Sequence, residues 1–242
     1  MQKNSLIFAA LFGIFGLVAC DEGDIIEQDE AVRTAGKTAC LTANVTGLDT
    51  WSSPYSVVLA GFAEGGSNAV VQKQLASSIA SDATSGAITT SLALTSDDIA
   101  TIELCVTNRL RERIVTFASM PVTQTTGDTI RLNAGTVDLS MFKSIQDLVF
   151  TTTCARCHGL GATPAGGLTL VEGQSYAQLV DCESRQPQRG IRVVPGNASQ
   201  SLLHKVIHGD PTAGVTFDHS NMIKETTTVA LIDNWINQGA KK

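Results

Sequence analysis

Two cysteines and a histidine stand together at Cys154-Ala155-Arg156-Cys157-His158. On a helical turn the positions i, i+3 and i+4 share a face, so both thiols and the imidazole project to one side. At this spacing two thiols can add to the two vinyl groups of a haem while the imidazole takes its iron from the same face. The motif is therefore read as the attachment site of one covalent haem c, with Cys154 and Cys157 as the points of attachment and His158 as proximal ligand. A zinc site would need four ligands, and no further Cys or His pair follows at the distance that zinc modules use. A thioredoxin-like redox site would need a surrounding βαβ pattern, which is missing.

All four histidines, His158, His204, His208 and His219, lie beyond residue 150. His204 and His208 stand at i, i+4, a metal-binding spacing. With no carboxylate beside them in the sequence they are read as a solvated helix face, where His208 complements the helix dipole at the last turn. Arg185, Arg189 and Arg192 read as a loose basic cluster near a loop, either plain surface or placed to meet the haem propionates or an acidic partner.

The elements that must position these groups follow from periodicity. Phe142, Ile145, Leu148 and Val149 form an apolar stripe that predicts a helix from Met141 to about Cys157, with the attachment motif at its C-terminal end. A middle helix is expected over Ser199–His208, its apolar face built from Leu202, Leu203, Val206 and Ile207. A last helix over about Thr228–Gln238 presents Val229, Ile232, Trp235 and Ile236 to the core.

The preceding segment, 38–139, is rich in Thr, Val, Ile and Ser and is broken by Gly, Asn and Asp clusters. Seven strands are expected: Ala39–Thr46, Tyr55–Phe62, Ala69–Leu75, Ala87–Leu94, Thr101–Thr107, Ile114–Ser119 and Thr129–Leu132. Several alternate apolar with polar residues, the pattern of a sheet buried on one face, and together they suggest an all-β sandwich, immunoglobulin-like or similar. Cys40 and Cys105 lie on two of these strands and are expected to pair as a disulfide in an oxidising compartment. Cys182 is then left as the free thiol, or it pairs with one of the two.

The chain begins with Lys3 and an apolar run from Leu6 to Val18, too short to remain as a membrane span, so residues 1–19 read as a cleaved signal. Leu17-Val18-Ala19-Cys20 resembles a bacterial lipobox, which implies a lipid on Cys20 and a protein held to the inner or outer membrane of the cell envelope. Six acids within Asp21–Glu30 argue that residues 20–37 are a solvated tether. The net charge is −6, and the excess of acid falls in residues 1–140, with 15 Asp and Glu against 8 Lys and Arg. No basic stripe with interleaved aromatics occurs, which excludes nucleic acid as an expected partner.

From about Met141 onward the chain resembles bacterial mono-haem cytochrome c domains. The matching pieces are Cys154 to Gly159, Gly166-Gly167-Leu168-Thr169-Leu170, Tyr176-Ala-Gln-Leu179-Val180, Val193-Val194-Pro195-Gly196-Asn197 with Ser201-Leu202-Leu203, and Trp235 to Ala240. The resemblance implies an all-α cytochrome c-like domain over 141–242 following the β-sandwich of 38–139. It implies a distal Met, usually within His-x-x-Met-Pro; here the counterpart is His219-Ser220-Asn221-Met222-Ile223, with Ile for Pro. Met222 is the expected sixth ligand and His219 the alternative, bis-His ligation giving the lower potential. It further implies that a carbonyl of the loop near Gly166 and Gly167 accepts from the proximal ring, that Leu168 packs on the haem, and that Trp235 packs on the first helix. The expected function is single-electron transfer to a redox protein partner, a carrier's role and not an enzyme's. Two alternatives stand beside it: a haem sensor or peroxidase with an open sixth position, and an envelope adhesion or assembly module with an accessory cytochrome.

Overall fold

Along Thr38–Thr46 (β1) every second side chain, from Ala39 through Leu41 and Ala43 to Val45, is buried. Period-two alternation with β-branched residues is what a strand with one covered face requires. The computed structural model describes residues 34–75, 86–122 and 127–242. Within them β1 is followed by β2 (Ser56–Ala63), β3 (Ala69–Gln74), β4 (Gly86–Ala93), β5 (Ile99–Thr107), β6 (Arg113–Pro121) and β7 (Thr129–Asp138). Each overlaps one of the strands expected from the sequence, and β7 runs six residues further.

The strands form two sheets. One has the order β4-β1-β7, with β1 antiparallel to β4 and parallel to β7; the other, β3-β2-β5-β6, is antiparallel throughout. Leu41 and Val45 of one sheet share a core with Leu59, Ile102, Leu104 and Val106 of the other. That geometry rules out the Cys40–Cys105 disulfide, and both thiols are free. On β1 the inward positions are Ala39 and Leu41, so Cys40 points outward; on β5 they are Leu104 and Val106, so Cys105 points outward from the other sheet, among Val58, Ala60 and Phe62. Two cysteines on the outer faces of opposite layers cannot meet.

Leu139 follows β7, its N–H donating to Thr46 O at 2.9 Å. Ser140 then caps α1 (Met141–Ile145) through its side-chain oxygen. Gly47 makes room for this crossing: at φ 73° it takes a left-handed conformation, and a Cβ there would lie 2.5 Å from Ser140. Three further helices follow: α2 (Ser175–Leu179), α3 (Leu202–Ile207) and α4 (Thr226–Asn237).

The expectation of an all-α cytochrome c-like domain over 141–242 is corrected. The structure is richer in strand than in helix, 34% against 27%, and among the described residues the α-helices are four and short, the remaining helical residues lying in 3-10 and π turns. Glycines and prolines punctuate the segment, and much of it is single 3-10 turns and β-bridges such as Val180 to Val193. The first helix also departs from a plain α-helix, because a π-helical turn occupies Gln146–Thr151. A wider turn rotates the residues around and beyond it, so Leu148 is turned out, 40% exposed, while Phe150 is fully buried. On α3 only Ile207 of the expected apolar face is buried.

The core does not stop at Leu139. It continues through Phe142, Ile145, Val149 and Phe150 to Leu231, Ile232, Trp235 and Ile236 of α4. Phe142 is the hub, with ring centroids 5.2 Å from Trp235, 5.0 Å from Tyr176 and 6.2 Å from Phe150. Trp235 thus packs on α1, and its indole N–H donates to Lys241 O at 2.7 Å. Asn234 donates to the Tyr55 hydroxyl at 3.3 Å, and Trp51 donates to Leu139 O, so the loop before β2 is tied to the helical segment.

Candidate functional site

Cys154, Ala155 and Arg156 make one 3-10 turn just after the π-helical turn. Cys157 and His158 both donate their N–H to Cys154 O, at 3.2 and 2.9 Å, which draws the three functional residues into one tight turn. Gly159 closes it: a Cβ there would lie 2.4 Å from Ala155 O, a contact no side chain tolerates. Both thiols are free, Cys157 exposed and Cys154 half-buried. Burial, aided by the neighbouring Cys157, pushes the Cys154 thiol up to about 11, so it is protonated at neutral pH.

The His158 ring is pinned by its Nδ1, 2.9 Å from Ala165 O. A carbonyl only accepts, so Nδ1 carries the proton and Nε2 keeps its lone pair. Burial holds this imidazole below its ordinary pKa, against the opposing effect of the hydrogen bonds to Ala165 and Leu168. The ring is therefore neutral, the form that ligates a metal. The Ala165 loop is itself fastened on both sides: Ala165 N–H donates to Cys157 O at 3.1 Å, and Leu170 N–H to His158 O at 2.6 Å. Leu168 is half-buried at the edge of the core.

Beneath this loop lies Arg192, only 7% exposed. Its guanidinium donates to Gln178 O at 2.8 Å and to Gly167 O at 3.4 Å, and Gln178 accepts from Thr169 N–H at 2.7 Å. The sequence placed Arg192 in a loose surface cluster; it is instead a buried strut.

Across from His158 stands His219, on the loop between α3 and α4. The two imidazole centroids are 6.3 Å apart with planes inclined by 30°. His219 Nδ1 is 2.8 Å from Phe217 O, so Nδ1 carries a proton and Nε2 is the nitrogen left for another partner. Phe217 presents its ring edge-on to His219 at 4.9 Å. Met222 lies in the next turn, where its N–H donates to His219 O at 3.0 Å, and its side chain is 39% exposed.

Of the expected site residues, the fold brings Cys154, Cys157, His158 and His219 together. Trp235 lies in the core against Phe142, and Cys20 falls outside the described residues. Large apolar side chains are left exposed around the group: Leu160 at 77%, Phe217 at 58% and Met222. The carbonyl expected from the loop near Gly166 and Gly167 is there, as Ala165 O, whereas sequence reading missed Gln178 and the Phe217 carbonyl and took Arg192 for a surface residue. Any residue can supply a carbonyl, so Phe217 carried no signal beyond its place two residues before His219.

The expectation that His204 and His208 form a solvated face is also corrected, because Asp233 of α4 reaches both rings. A cleft of about 580 Å³ opens beside them, lined by His208, Ser220, Asn221, Lys224 and Asp233 among others.

Among the described residues no helix is long and apolar enough to cross a membrane. No protein-family model, curated protein or solved structure matches this chain.

Proposed function

We propose that this protein carries one covalently attached haem c held between His158 and His219, and that it transfers single electrons. The observation that carries this reading is the pair of neighbouring imidazoles, each fixed through Nδ1 to a backbone carbonyl so that Nε2 is the nitrogen left for a ligand, with two free thiols one turn from the first. A metal held between two imidazoles by bonds of about 2 Å, with ring centres about 1 Å beyond each nitrogen, sets the centroids about 6 Å apart. The distance here is 6.3 Å. The exposed Leu160 and Phe217 supply the apolar surface that a macrocycle would cover.

The thiols of Cys154 and Cys157 each add S–H across a vinyl group, with no atom lost, and so fasten the group to the turn. The haem, when bound, supplies a one-electron iron couple. His158, oriented by Ala165 O, and His219, oriented by Phe217 O, would hold the iron. Such carbonyl partners fix the ring plane and raise the basicity of the ligating nitrogen. Two imidazole ligands would leave no open position on the iron and would give a lower potential than a thioether. The 6.3 Å approach of the His219 ring to His158 favours His219 over Met222, whose side chain lies partly in solvent. A closed sphere suits electron exchange with a redox protein partner better than peroxide or gas chemistry. The lipobox-like Cys20 supports an envelope location tethered to a membrane by lipid.

The test is spectroscopic. The purified holoprotein is compared with His219→Ala and Met222→Ala by visible, near-infrared and electron paramagnetic resonance spectra. The expected result is a low-spin ferric spectrum that turns high-spin in His219→Ala and is unchanged in Met222→Ala. The reverse pattern would assign Met222. Rapid carbon monoxide binding by the unaltered reduced protein would point to the sensor or peroxidase reading, and a chain exported without haem would overturn the proposal entirely.

A further inference from the structure

Three side chains outside that site converge between α3 and α4. His204 Nδ1 lies 2.7 Å from one carboxylate oxygen of Asp233, and His208 Nε2 lies 2.8 Å from the other. The two rings, one helical turn apart, have centroids 4.2 Å from each other. All three ligand atoms lie within 4.8 Å of one another.

We infer that His204, His208 and Asp233 form a second metal site, for a divalent transition ion of the zinc or copper class. Two imidazoles and one carboxylate are a donor set suited to such ions and not to calcium or magnesium, which prefer all-oxygen shells. The arrangement offers three protein ligands, and the next position opens on the cleft lined by Ser220, Asn221 and Lys224. Three ligands with an open fourth position are the pattern of an accessible site, as opposed to a closed structural one. Bonds of about 2 Å in tetrahedral array need ligand atoms about 3.3 Å apart, so ligand atoms now within 4.8 Å of one another would move by up to about 1.5 Å to hold an ion. The side chains are partly exposed, at 27%, 41% and 21%, so an ion can enter without local unfolding.

The competing role is a plain clamp, with the carboxylate pairing two imidazoles to tie α3 to α4. The difference is measurable, because a clamp has no affinity for zinc. The site also stands apart from the haem reading, since none of its residues belongs to the group around His158 and His219.

Calorimetric titration of the purified full-length holoprotein with Zn²⁺ tests it, beside Asp233→Asn and His204→Ala. The expected result is one ion bound per chain through these residues, with affinity lowered by at least about tenfold in each variant. Native far-UV dichroism is required of each variant. Should one fail to fold, His208→Ala, at the most exposed ring of the three, reads the same quantity. Absence of saturable binding, or zinc affinity equal in parent and variants, would overturn the inference and leave only the clamp.

Discussion

Arg192→Ala removes the strut beneath the His158 loop. The bond to Gln178 O at 2.8 Å is well made and that to Gly167 O at 3.4 Å is long, so most of the loss comes from the first. A charged hydrogen bond contributes about 1.5–3 kcal/mol, and the substitution leaves the carbonyls of Gln178 and Gly167 without this donor. The expected cost is about 2–3 kcal/mol, which for a chain of this size lowers Tm by about 4–12 °C. Arg192→Lys keeps the charge but not the two-pronged donor, and falls between the two. Thermal unfolding followed by far-UV dichroism reads the stability. On the haem proposal, the reduction potential of the holoprotein reads the second effect, since a loosened Gly167 frees Ala165 O and with it the orientation of His158. If Arg192→Ala melts within a degree or two of the parent, Arg192 is an ordinary surface residue and the strut argument is wrong.

The packing sets two further outcomes. Leu148→Gln changes stability by less than about 0.5 kcal/mol, whereas Phe150→Ala costs about 3–5 kcal/mol in urea unfolding; equal losses would contradict the π-helical turn that exposes one and buries the other. Burial, with repulsion from Glu103, pushes the Cys105 thiol from 9.0 up to about 12. A raised thiol pKa stabilises the fold fully below the unfolded value near 9, and that contribution drains away as pH rises towards 12. Cys105→Val therefore flattens the alkaline limb of the stability profile, and an unchanged limb would show that this thiol does not control it.

The strands were legible because their signal is local. Alternation in β1 and β5 states which residues face the core, and the same alternation, applied to both cysteines, already excludes their pairing once the two strands are known to lie in different sheets. The sheet order was not legible, since β1 pairs with β7 across more than eighty residues. The helical segment misled for a related reason: a stripe of Phe142, Ile145, Leu148 and Val149 assumes an unbroken α period, and a single π-helical turn shifts every position after it.

At the candidate site the sequence by itself determined the proximal side. Cys154, Cys157, His158 and Gly159 act through contacts within one or two turns, so their spacing states their geometry. The residues that face them were decided only by tertiary structure. Whether His219 or Met222 meets His158 depends on how a loop sixty residues away folds back, and a difference of three residues along it is invisible to spacing. Asp233 joins His204 and His208 only because α4 packs against α3. Arg192 leaves the surface only because the Gly167 loop closes over it. Side chains brought together by burial, and not by the period of a helix or strand, carry no pattern that can be read along the chain.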